Sequence, residues 1–229
     1  MIEKILPSQV AVAEAFSDPP DAVLFPGEAE LIRNSVEGRR KEFTTGRWCA
    51  RRALGELGLP PTAILKGERG APIWPGGVVG SLTHCAGYRA AAVARRADAL
   101  TVGIDAEPHE PLPDGVHESI ALATEQQREL ELRRVCPEIH WDRLLFSAKE
   151  SVYKAWFPLT HRWLGFEQAD IVLHSNGSFT AGLLISTMEP DPAAEATPIP
   201  TAFTGRWLVA DGLMVTAIAV GSEPKAPTG

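Results

Sequence analysis

The chain has 229 residues, of which 45% are hydrophobic, so it is long enough to bury the core of one domain or of two tightly joined halves. Its formal net charge of −7 gives no global indication of nucleic-acid binding, and its three widely spaced cysteines, without a Cys-x-x-Cys pair, argue against a disulfide framework or a zinc site. No run approaches the ~20 apolar residues of a membrane helix, and residues 1–7 lack the basic start and apolar centre of a signal peptide, so we predict a soluble, cytoplasmic protein with no membrane or nucleic-acid partner.

The first predicted element is a helix over residues 36–57, a stretch without proline whose apolar residues recur at helical spacing. Seven of the 22 Lys and Arg residues of the chain lie between positions 33 and 52, so this window, which includes most of the helix, is locally cationic. Arg40, Arg47 and Arg51 are spaced i, i+7 and i+11, which places them on one helix face where guanidinium groups are able to hold phosphates. The alternative interpretation is an ordinary solvated basic face.

Three short apolar segments follow and predict antiparallel strands: Val78–Leu82, Tyr88–Ala94 and Leu100–Asp105. The last one leads into Asp105-Ala106-Glu107, in which the two carboxylates at i and i+2 share one face of an extended strand. That geometry suits a hard cation, because Mg²⁺ is commonly held by one or two protein carboxylates together with waters and substrate phosphates. An Asp-x-Glu sequence is also common in loops that bind no metal.

The second half of the chain is predicted to contain two helices and four strands. The helices cover Ser119–Arg134 and residues 140–157, and the strands cover Ala169–His174, Phe179–Ile185, Arg206–Val209 and Leu213–Val220. Asp211-Gly212 between the last two strands predicts a hairpin turn. Four prolines between Ser186 and Gly205 predict a loop, and the tail from Ser222 to Gly229 is predicted to be disordered.

The helix at 140–157 places Glu150 and Lys154 at i and i+4 on one face, with Tyr153 beside them. A third carboxylate and a cation are thereby able to meet the predicted metal site. Taken alone, the pair is more often a surface ion pair that contributes about 0.3–0.5 kcal/mol to a helix. In the same way, a lone histidine such as His84 is more often structural than functional. The occurrence of all three segments in one chain, in order, favours the functional interpretation.

These segments resemble the 4'-phosphopantetheinyl transferases of the surfactin-synthetase type. The residues that carry the resemblance are Ser81-Leu82-Thr83-His84, Gly103-Ile104-Asp105-Ala106-Glu107 and Lys149-Glu150-Ser151-Val152-Tyr153-Lys154-Ala155-Trp156. The likeness extends to Arg39-Arg40-Lys41-Glu42-Phe43, to Leu65–Gly70, to His140-Trp141-Asp142-Arg143 and to the run that ends at Phe166. It therefore spans most of residues 30–170, and within the family the chain is most similar to the actinobacterial PptT-like enzymes.

The resemblance implies an α+β fold of two similar α/β subdomains related by a pseudo-twofold axis, with a coenzyme A cleft between them. We place the N-terminal subdomain, with the coenzyme A phosphate contacts and the metal-binding strand, at residues 1–110. The C-terminal subdomain, with the catalytic helix, is placed at residues 111–229. The duplicated members of this family act as monomers, whereas the short members assemble equivalent halves as trimers, so the length of this chain favours a monomer.

The activity implied by the resemblance is transfer of the 4'-phosphopantetheinyl arm from coenzyme A to a serine of apo carrier-protein domains of fatty-acid, polyketide or non-ribosomal peptide synthases. Adenosine 3',5'-bisphosphate is released. Such phosphoryl transfer needs a metal on the pyrophosphate, a base for the serine proton and cations around the leaving phosphate. Asp105, Glu107 and Glu150 are the expected Mg²⁺ ligands, with the Ala106 carbonyl a further candidate and Mn²⁺ an alternative ion. Glu150 is the expected general base, and Lys154 is expected to neutralise the leaving phosphate.

The resemblance also assigns the coenzyme A contacts. They are expected at Arg39, Arg47, Lys66, Gly67, Glu68, Arg69, Thr83, His84, Asp105, Glu150, Lys154 and Leu164, with Arg40 and Arg51 as further candidates. Two other functions stay open: a Mg²⁺-dependent hydrolase acting on a pyrophosphate, and a catalytically silent module that binds carrier proteins. The chain has neither a dense run of glutamates on one helix nor a Gly-x-x-x-x-Gly-Lys phosphate loop, which argues against the hydrolase. A module that only binds carrier proteins has no physical need for Asp105, Glu107, Glu150 and Lys154, which argues against the second alternative.

Overall fold

The computed structural model describes residues 1–185 and 199–222, which form two antiparallel sheets with helices packed on them. The helices are α1 (Glu28–Leu31), α2 (Glu37–Glu56), α3 (Val116–Ile120), α4 (Ala123–Val135) and α5 (Trp141–Thr160). The strands are β1 (Ala11–Ala15), β2 (Val78–Cys85), β3 (Tyr88–Arg95), β4 (Ala99–Pro108), β5 (Ala169–His174), β6 (Ser178–Leu183), β7 (Ala202–Ala210) and β8 (Leu213–Gly221). No helix in these ranges is both long and apolar enough to span a bilayer.

The first sheet has the strand order β1-β3-β2 and the second has the order β4-β8-β7-β6-β5. Side chains join the two sheets where β2 lies against β4. The hydroxyl of Ser81 accepts a hydrogen bond from the backbone N–H of Ile104 at 3.1 Å, and the hydroxyl of Thr83 accepts one from Ala106 at 3.0 Å. These two hydroxyls satisfy backbone donors of β4 on the side where β4 has no ladder partner, because its ladder partner is β8.

One long helix covers each sheet. Helix α2 packs its small apolar residues, Ala50 and Ala53 among them, against β1 and β3. Helix α5 packs Leu144, Ala148 and Val152 into the core of the second sheet. This arrangement confirms the predicted α+β class with two helix-and-sheet halves. The division of the chain at residue 110 stays a prediction, and β4, which precedes that position, belongs to the second sheet.

Most of the predicted elements are present, with two corrections. The single helix predicted over Ser119–Arg134 is wrong, because the chain is extended at Ala121 and Leu122 between α3 and α4. There the carboxylate of Glu125 accepts a hydrogen bond from the backbone N–H of Leu122 and caps α4, so a second helix begins at this point. The predicted loop up to Gly205 is wrong at its end, since β7 starts at Ala202 and pairs with β6.

The hairpin predicted at Asp211-Gly212 is confirmed, and both residues have positive φ angles, 52° and 73°, as its tight turn requires. Pro190, Pro192 and Pro198 of the predicted loop and residues 223–229 of the predicted tail lie outside the described residues.

Candidate active site

A cleft of about 650 Å³ runs between the two halves of the protein, with α2 and β2 on one side and β4 and α5 on the other. Ten of the predicted site residues line it: Arg39, Arg47, Lys66, Arg69, Thr83, His84, Asp105, Glu107, Glu150 and Lys154. Four do not line it: Gly67, Glu68, Ala106 and Leu164. The structure therefore brings residues from five separate segments of the chain to one concave surface.

Asp105 and Glu107 reach the cleft because they alternate with Ala106 along β4 and so point to the sheet face that α5 covers. The Oδ1 atom of Asp105 accepts a hydrogen bond from Lys154 Nζ at 2.7 Å and one from the Thr83 hydroxyl at 3.3 Å. Its other oxygen, Oδ2, is buried and has no hydrogen-bond partner among the described residues. An orphaned carboxylate oxygen of this kind fits a role as a ligand of a hard cation.

The charge of Asp105 acts on both neighbouring glutamates of the cleft. Burial raises the pKa of Glu107, and the neighbouring charge of Asp105 raises it further, whereas Arg143 opposes the shift. Burial likewise raises the pKa of Glu150, with Lys154 opposing and Asp105 reinforcing the shift. Within residues 1–185 and 199–222, no three acidic, His or Cys side chains are close enough together to enclose a metal ion. In this conformation Lys154 and Arg143 contact Asp105 and Glu107 instead. What fits a divalent cation is the chemistry of the donors, which are carboxylates, and the Oδ2 of Asp105, which is unpartnered within the described residues.

Ala106 differs from its neighbours. Its side chain points to the face of β4 opposite to Asp105 and Glu107 and is buried in the core. Ala106 pairs with Val215 of β8, and its N–H donates to the hydroxyl of Thr83.

Close packing of α5 on β4 sets the position of Glu150 and Lys154. Gly103 lies two residues before Asp105 on the same face, and a Cβ atom there would be 2.2 Å from the carbonyl oxygen of Ser151. The Thr101 hydroxyl donates to the carbonyl of Ala155 at 2.7 Å, which ties the same turn of the helix to the strand. Helix α5 therefore lies on the strand backbone itself at the point where the acidic side chains meet.

Lys149, which precedes Glu150 in the motif, is a structural residue. Its side chain is 1% exposed, and its ammonium group forms an ion pair with Glu125 at 2.9 Å and donates to the carbonyl oxygens of Phe166 and Ala169. It therefore connects α5 to α4 and to the start of β5.

The other end of the cleft is basic. Arg39 Nη1 donates to Nε2 of His84 at 2.8 Å, and burial lowers the pKa of His84. Burial also lowers the pKa of Lys66, with Arg39 and Arg47 adding repulsion, and burial lowers the pKa of Arg47 to about 10. Arg47 and Lys66 both lie over the ring of Phe43, with distances of 4.1 and 5.1 Å to its centroid. Because these cations repel one another, an anion bound among them is favoured.

Of the three arginines on the predicted phosphate-binding face of α2, two do not line the cleft and contact other parts of the protein instead. The guanidinium group of Arg51 forms an ion pair with Glu28 at 2.8 Å, and Glu28 is completely buried. Arg40 donates to the backbone carbonyls of Arg33 and Ser35. Of the three, only Arg47 lines the cleft, and its Nε also donates to the carbonyl of Ile64. Helical spacing does not reveal the partners of Arg51 and Arg47, because Glu28 and Ile64 lie 23 and 17 positions away in the sequence.

Two turns meet at the mouth of the cleft. Arg69 stacks over Trp163 at 5.4 Å, and Glu68 lies 3.8 Å from the ring of His161. Tyr153, which lines the cleft, is 5.2 Å from Trp163 between ring centroids. Trp163 is 60% exposed, and nothing in the hydrophobic periodicity of the sequence points to it or to Arg143.

Gly67 and Leu164 flank these turns. The N–H of Gly67 donates to Ala71 and closes the turn, and the side chain of Leu164 is buried in the core of the second sheet.

Comparison of the sequence with known proteins identifies its family. The sequence model of the 4'-phosphopantetheinyl transferase N-terminal domain matches residues 27–94, and that of the 4'-phosphopantetheinyl transferase superfamily matches residues 101–207. The chain is 53% identical to 4'-phosphopantetheinyl transferase Npt of Nocardia iowensis, over 96% of this chain and 99% of that protein. It is 51% identical to 4'-phosphopantetheinyl transferase Svp of Streptomyces mobaraensis, over 100% and 91%. Its identity to 4'-phosphopantetheinyl transferase PptT of Mycobacterium tuberculosis is 50%, over 96% and 98%. The chain therefore belongs to the 4'-phosphopantetheinyl transferase superfamily and is an enzyme of this type, whose members use coenzyme A as substrate.

Proposed function

We propose that this enzyme transfers the 4'-phosphopantetheinyl arm of coenzyme A to a serine hydroxyl of apo carrier-protein domains in a Mg²⁺-dependent reaction. The observation that carries the proposal is a single cleft with cationic side chains at one end and three carboxylates beside a lysine at the other. Such a cleft matches a donor that has a 3'-phosphate at one end and a pyrophosphate as the reacting group. The acceptors are carrier domains of fatty-acid, polyketide or non-ribosomal peptide synthases, and the enzyme acts as a monomer.

In the proposed reaction, the serine oxygen forms a bond to the phosphorus that bears the pantetheine arm, and the P–O bond of the pyrophosphate breaks. Glu150 accepts the serine proton as the general base. Adenosine 3',5'-bisphosphate leaves, and Lys154 neutralises the charge of its 5'-phosphate. Asp105, Glu107 and Glu150 hold Mg²⁺, or Mn²⁺ in its place, with the Ala106 carbonyl as a further candidate ligand. When bound, the ion neutralises the pyrophosphate and lowers the charge repulsion against the incoming oxygen.

The basic end of the cleft recognises the donor. Arg39, Arg47, Lys66 and His84 contact the phosphates of the nucleotide half, and Arg69 adds a cation at the mouth. Charge-assisted hydrogen bonds of this kind contribute about 1.5–3 kcal/mol each, so loss of one is expected to weaken binding roughly 10-fold to 100-fold. Dephospho-coenzyme A should therefore bind more weakly than coenzyme A, and Arg47→Ala should narrow that difference. Equal affinity of the wild-type enzyme for both donors would contradict this assignment.

The remaining contacts proposed from the family are Gly67, Glu68, Thr83 and Leu164. Gly67 and Glu68 lie in the turn that carries Arg69, and Thr83 donates its hydroxyl hydrogen to Asp105, so these residues are proposed to act close to the donor. The buried side chain of Leu164 is proposed to support this part of the cleft from the core.

The decisive experiment incubates the purified enzyme with coenzyme A, Mg²⁺ and a panel of apo carrier domains, and weighs the carriers by mass spectrometry. We expect carrier masses to increase by one 4'-phosphopantetheinyl group, only when Mg²⁺ or Mn²⁺ is present. Asp105→Ala should abolish transfer while the far-ultraviolet circular dichroism spectrum stays unchanged. Cleavage of coenzyme A without carrier modification would favour a hydrolase, and carrier binding without either reaction would favour a silent module. Transfer at the wild-type rate by folded Asp105→Ala would remove Asp105 from the metal site.

A further inference from the structure

Arg143 makes three polar contacts near the acidic end of the cleft. It lies in the first turn of α5 and its side chain is 16% exposed. Its Nη1 atom donates to Oε2 of Glu107 at 2.9 Å, its Nη2 atom to the carbonyl of Pro111 at 2.8 Å, and its Nε atom to the carbonyl of Glu110 at 3.3 Å. All three acceptors belong to the segment 107–111, in which β4 ends. One guanidinium group therefore holds both Glu107 and the backbone that follows it.

Arg143 and Lys154 have related positions on α5. They are eleven residues apart, which is close to three full helical turns, so both side chains leave the same face of the helix. Lys154 contacts Asp105 and Arg143 contacts Glu107, so each carboxylate of β4 is held by one cation from α5. The two cations differ in access, because Lys154 lines the cleft and Arg143 does not. Arg143 is thus placed to act on Glu107 and not on the substrate.

The geometry of Glu107 shows what Arg143 contributes. A glutamate side chain has several rotatable bonds, and holding it in one rotamer costs conformational entropy that a fixed partner has to offset. Arg143 engages Oε2, while Oε1 has no hydrogen bond to any residue in the described part of the chain. Guanidinium groups are planar and rigid and so hold a carboxylate in a defined orientation better than an ammonium group does. One oxygen of Glu107 is therefore held, and the other is left for a ligand in the cleft.

We propose that Arg143 is a positioning residue of this enzyme, which holds Glu107 in the orientation that binds the divalent cation. The inference rests on the proposed function, because it assumes that Glu107 is a metal ligand. Residues that orient metal ligands in this way typically change metal affinity about 10-fold to 100-fold when they are removed. Arg143→Met is therefore expected to weaken cation binding by at least ~10-fold.

A purely structural role has to be distinguished, because Arg143 also holds the backbone at Glu110 and Pro111. Asp142 offers a matched control, since its Oδ2 accepts the backbone N–H of Leu112 at 2.9 Å and so holds the same segment without touching Glu107. Asp142→Ala should lower the melting temperature by about as much as Arg143→Met, but it should leave the cation affinity within ~2-fold of wild type. Arg143→Lys keeps one charged donor toward Glu107 and should recover part of the affinity.

The experiment measures Mn²⁺ binding by electron paramagnetic resonance in the presence of coenzyme A and without carrier protein, and separately measures arm transfer as a function of Mg²⁺ concentration. We expect Arg143→Met to raise the Mg²⁺ concentration needed for half-maximal rate, with a KM for coenzyme A close to the wild-type value and a rate that recovers at high Mg²⁺. In a Glu107→Gln background, Arg143→Met should cause little further loss of Mn²⁺ affinity, because the group that it positions is already changed.

Two results would overturn the inference. One is unchanged Mn²⁺ affinity in folded Arg143→Met, and the other is an equal loss of affinity in Asp142→Ala. If the wild-type enzyme itself bound no Mn²⁺ and transferred no arm, the proposed function would fail, and that outcome is visible before any variant is compared.

Discussion

The close approach of α5 to β4 makes Gly103 sensitive to substitution by any residue with a Cβ atom. A Cβ atom added there would lie 2.2 Å from the carbonyl oxygen of Ser151 and 2.7 Å from the backbone nitrogen of Ala155. Ordinary contact begins at 3.4 Å, so the closest atom is more than 1 Å too near. Both opposing atoms belong to the helix backbone and are unable to rotate away. Gly103→Ala therefore forces α5 to move from β4 by about 1 Å, or the strand to bend.

The expected cost has two parts. Overpacking of a well-packed core typically costs about 1–3 kcal/mol, and for a chain of this size each kcal/mol lowers the melting temperature by roughly 2–4 °C. We therefore expect a decrease of about 2–12 °C. Helix α5 carries Glu150 and Lys154, whereas β4 carries Asp105, so the same movement changes the geometry of the site. A misplacement of ~1 Å commonly costs about 100-fold in rate.

The assay combines thermal unfolding with single-turnover arm transfer at saturating coenzyme A and Mg²⁺. Gly182→Ala is the matched control, because Gly182 lies in β6 with a negative φ angle and a Cβ atom there meets nothing within 4 Å. The control should keep the wild-type rate. If Gly103→Ala were as stable and as active as wild type, the inference that this contact sets the position of the catalytic helix would be refuted.

Three further predictions concern single residues. Glu150→Gln should reduce single-turnover transfer by at least ~100-fold with little change in melting temperature, and near-normal transfer would show that Glu150 is not the general base. Arg51→Met should destabilise the protein by about 3–5 kcal/mol in urea unfolding, because it leaves the buried carboxylate of Glu28 without its partner. The control Lys41→Met, on the exposed side of the same helix, should leave the unfolding midpoint unchanged. Equal effects of the two substitutions would contradict this reasoning. Burial raises the pKa of Cys49 from 9.0 to about 12, so its thiolate is roughly 1,000-fold scarcer at pH 8 than that of an unburied thiol. Because the thiol is also completely buried, its alkylation by iodoacetamide should be much slower in the native protein than in the unfolded chain, as followed by peptide mass spectrometry. The folded state binds this proton more tightly than the unfolded state, so the stability that Cys49 contributes is present below pH 9 and is lost as the pH rises toward 12. Labelling of native Cys49 at the rate of the unfolded chain would contradict both statements.

Local sequence patterns were sufficient to predict the elements that carry the site. The helix predicted over residues 36–57 is α2, and the strand predicted at Ala169–His174 has the predicted bounds. Asp105 and Glu107 share one face of a strand, as the strand period predicts, and Glu150 and Lys154 share one face of a helix, as the helix period predicts. Both pairs line the cleft. These features depend on interactions between residues close together in the chain, so the sequence alone contains the information.

The partners of these residues were not predictable in the same way. Arg51 has the spacing of a phosphate ligand but forms an ion pair with Glu28, 23 positions away, and Arg143 reaches Glu107 across 36 positions. The third predicted strand, β4, pairs with β8 and not with its neighbours in sequence. Periodicity shows which face of an element is apolar or charged, but the group that meets that face depends on how distant segments pack. The pairing of charges, the choice of strand partner and the distance between α5 and β4 are therefore properties of the folded chain.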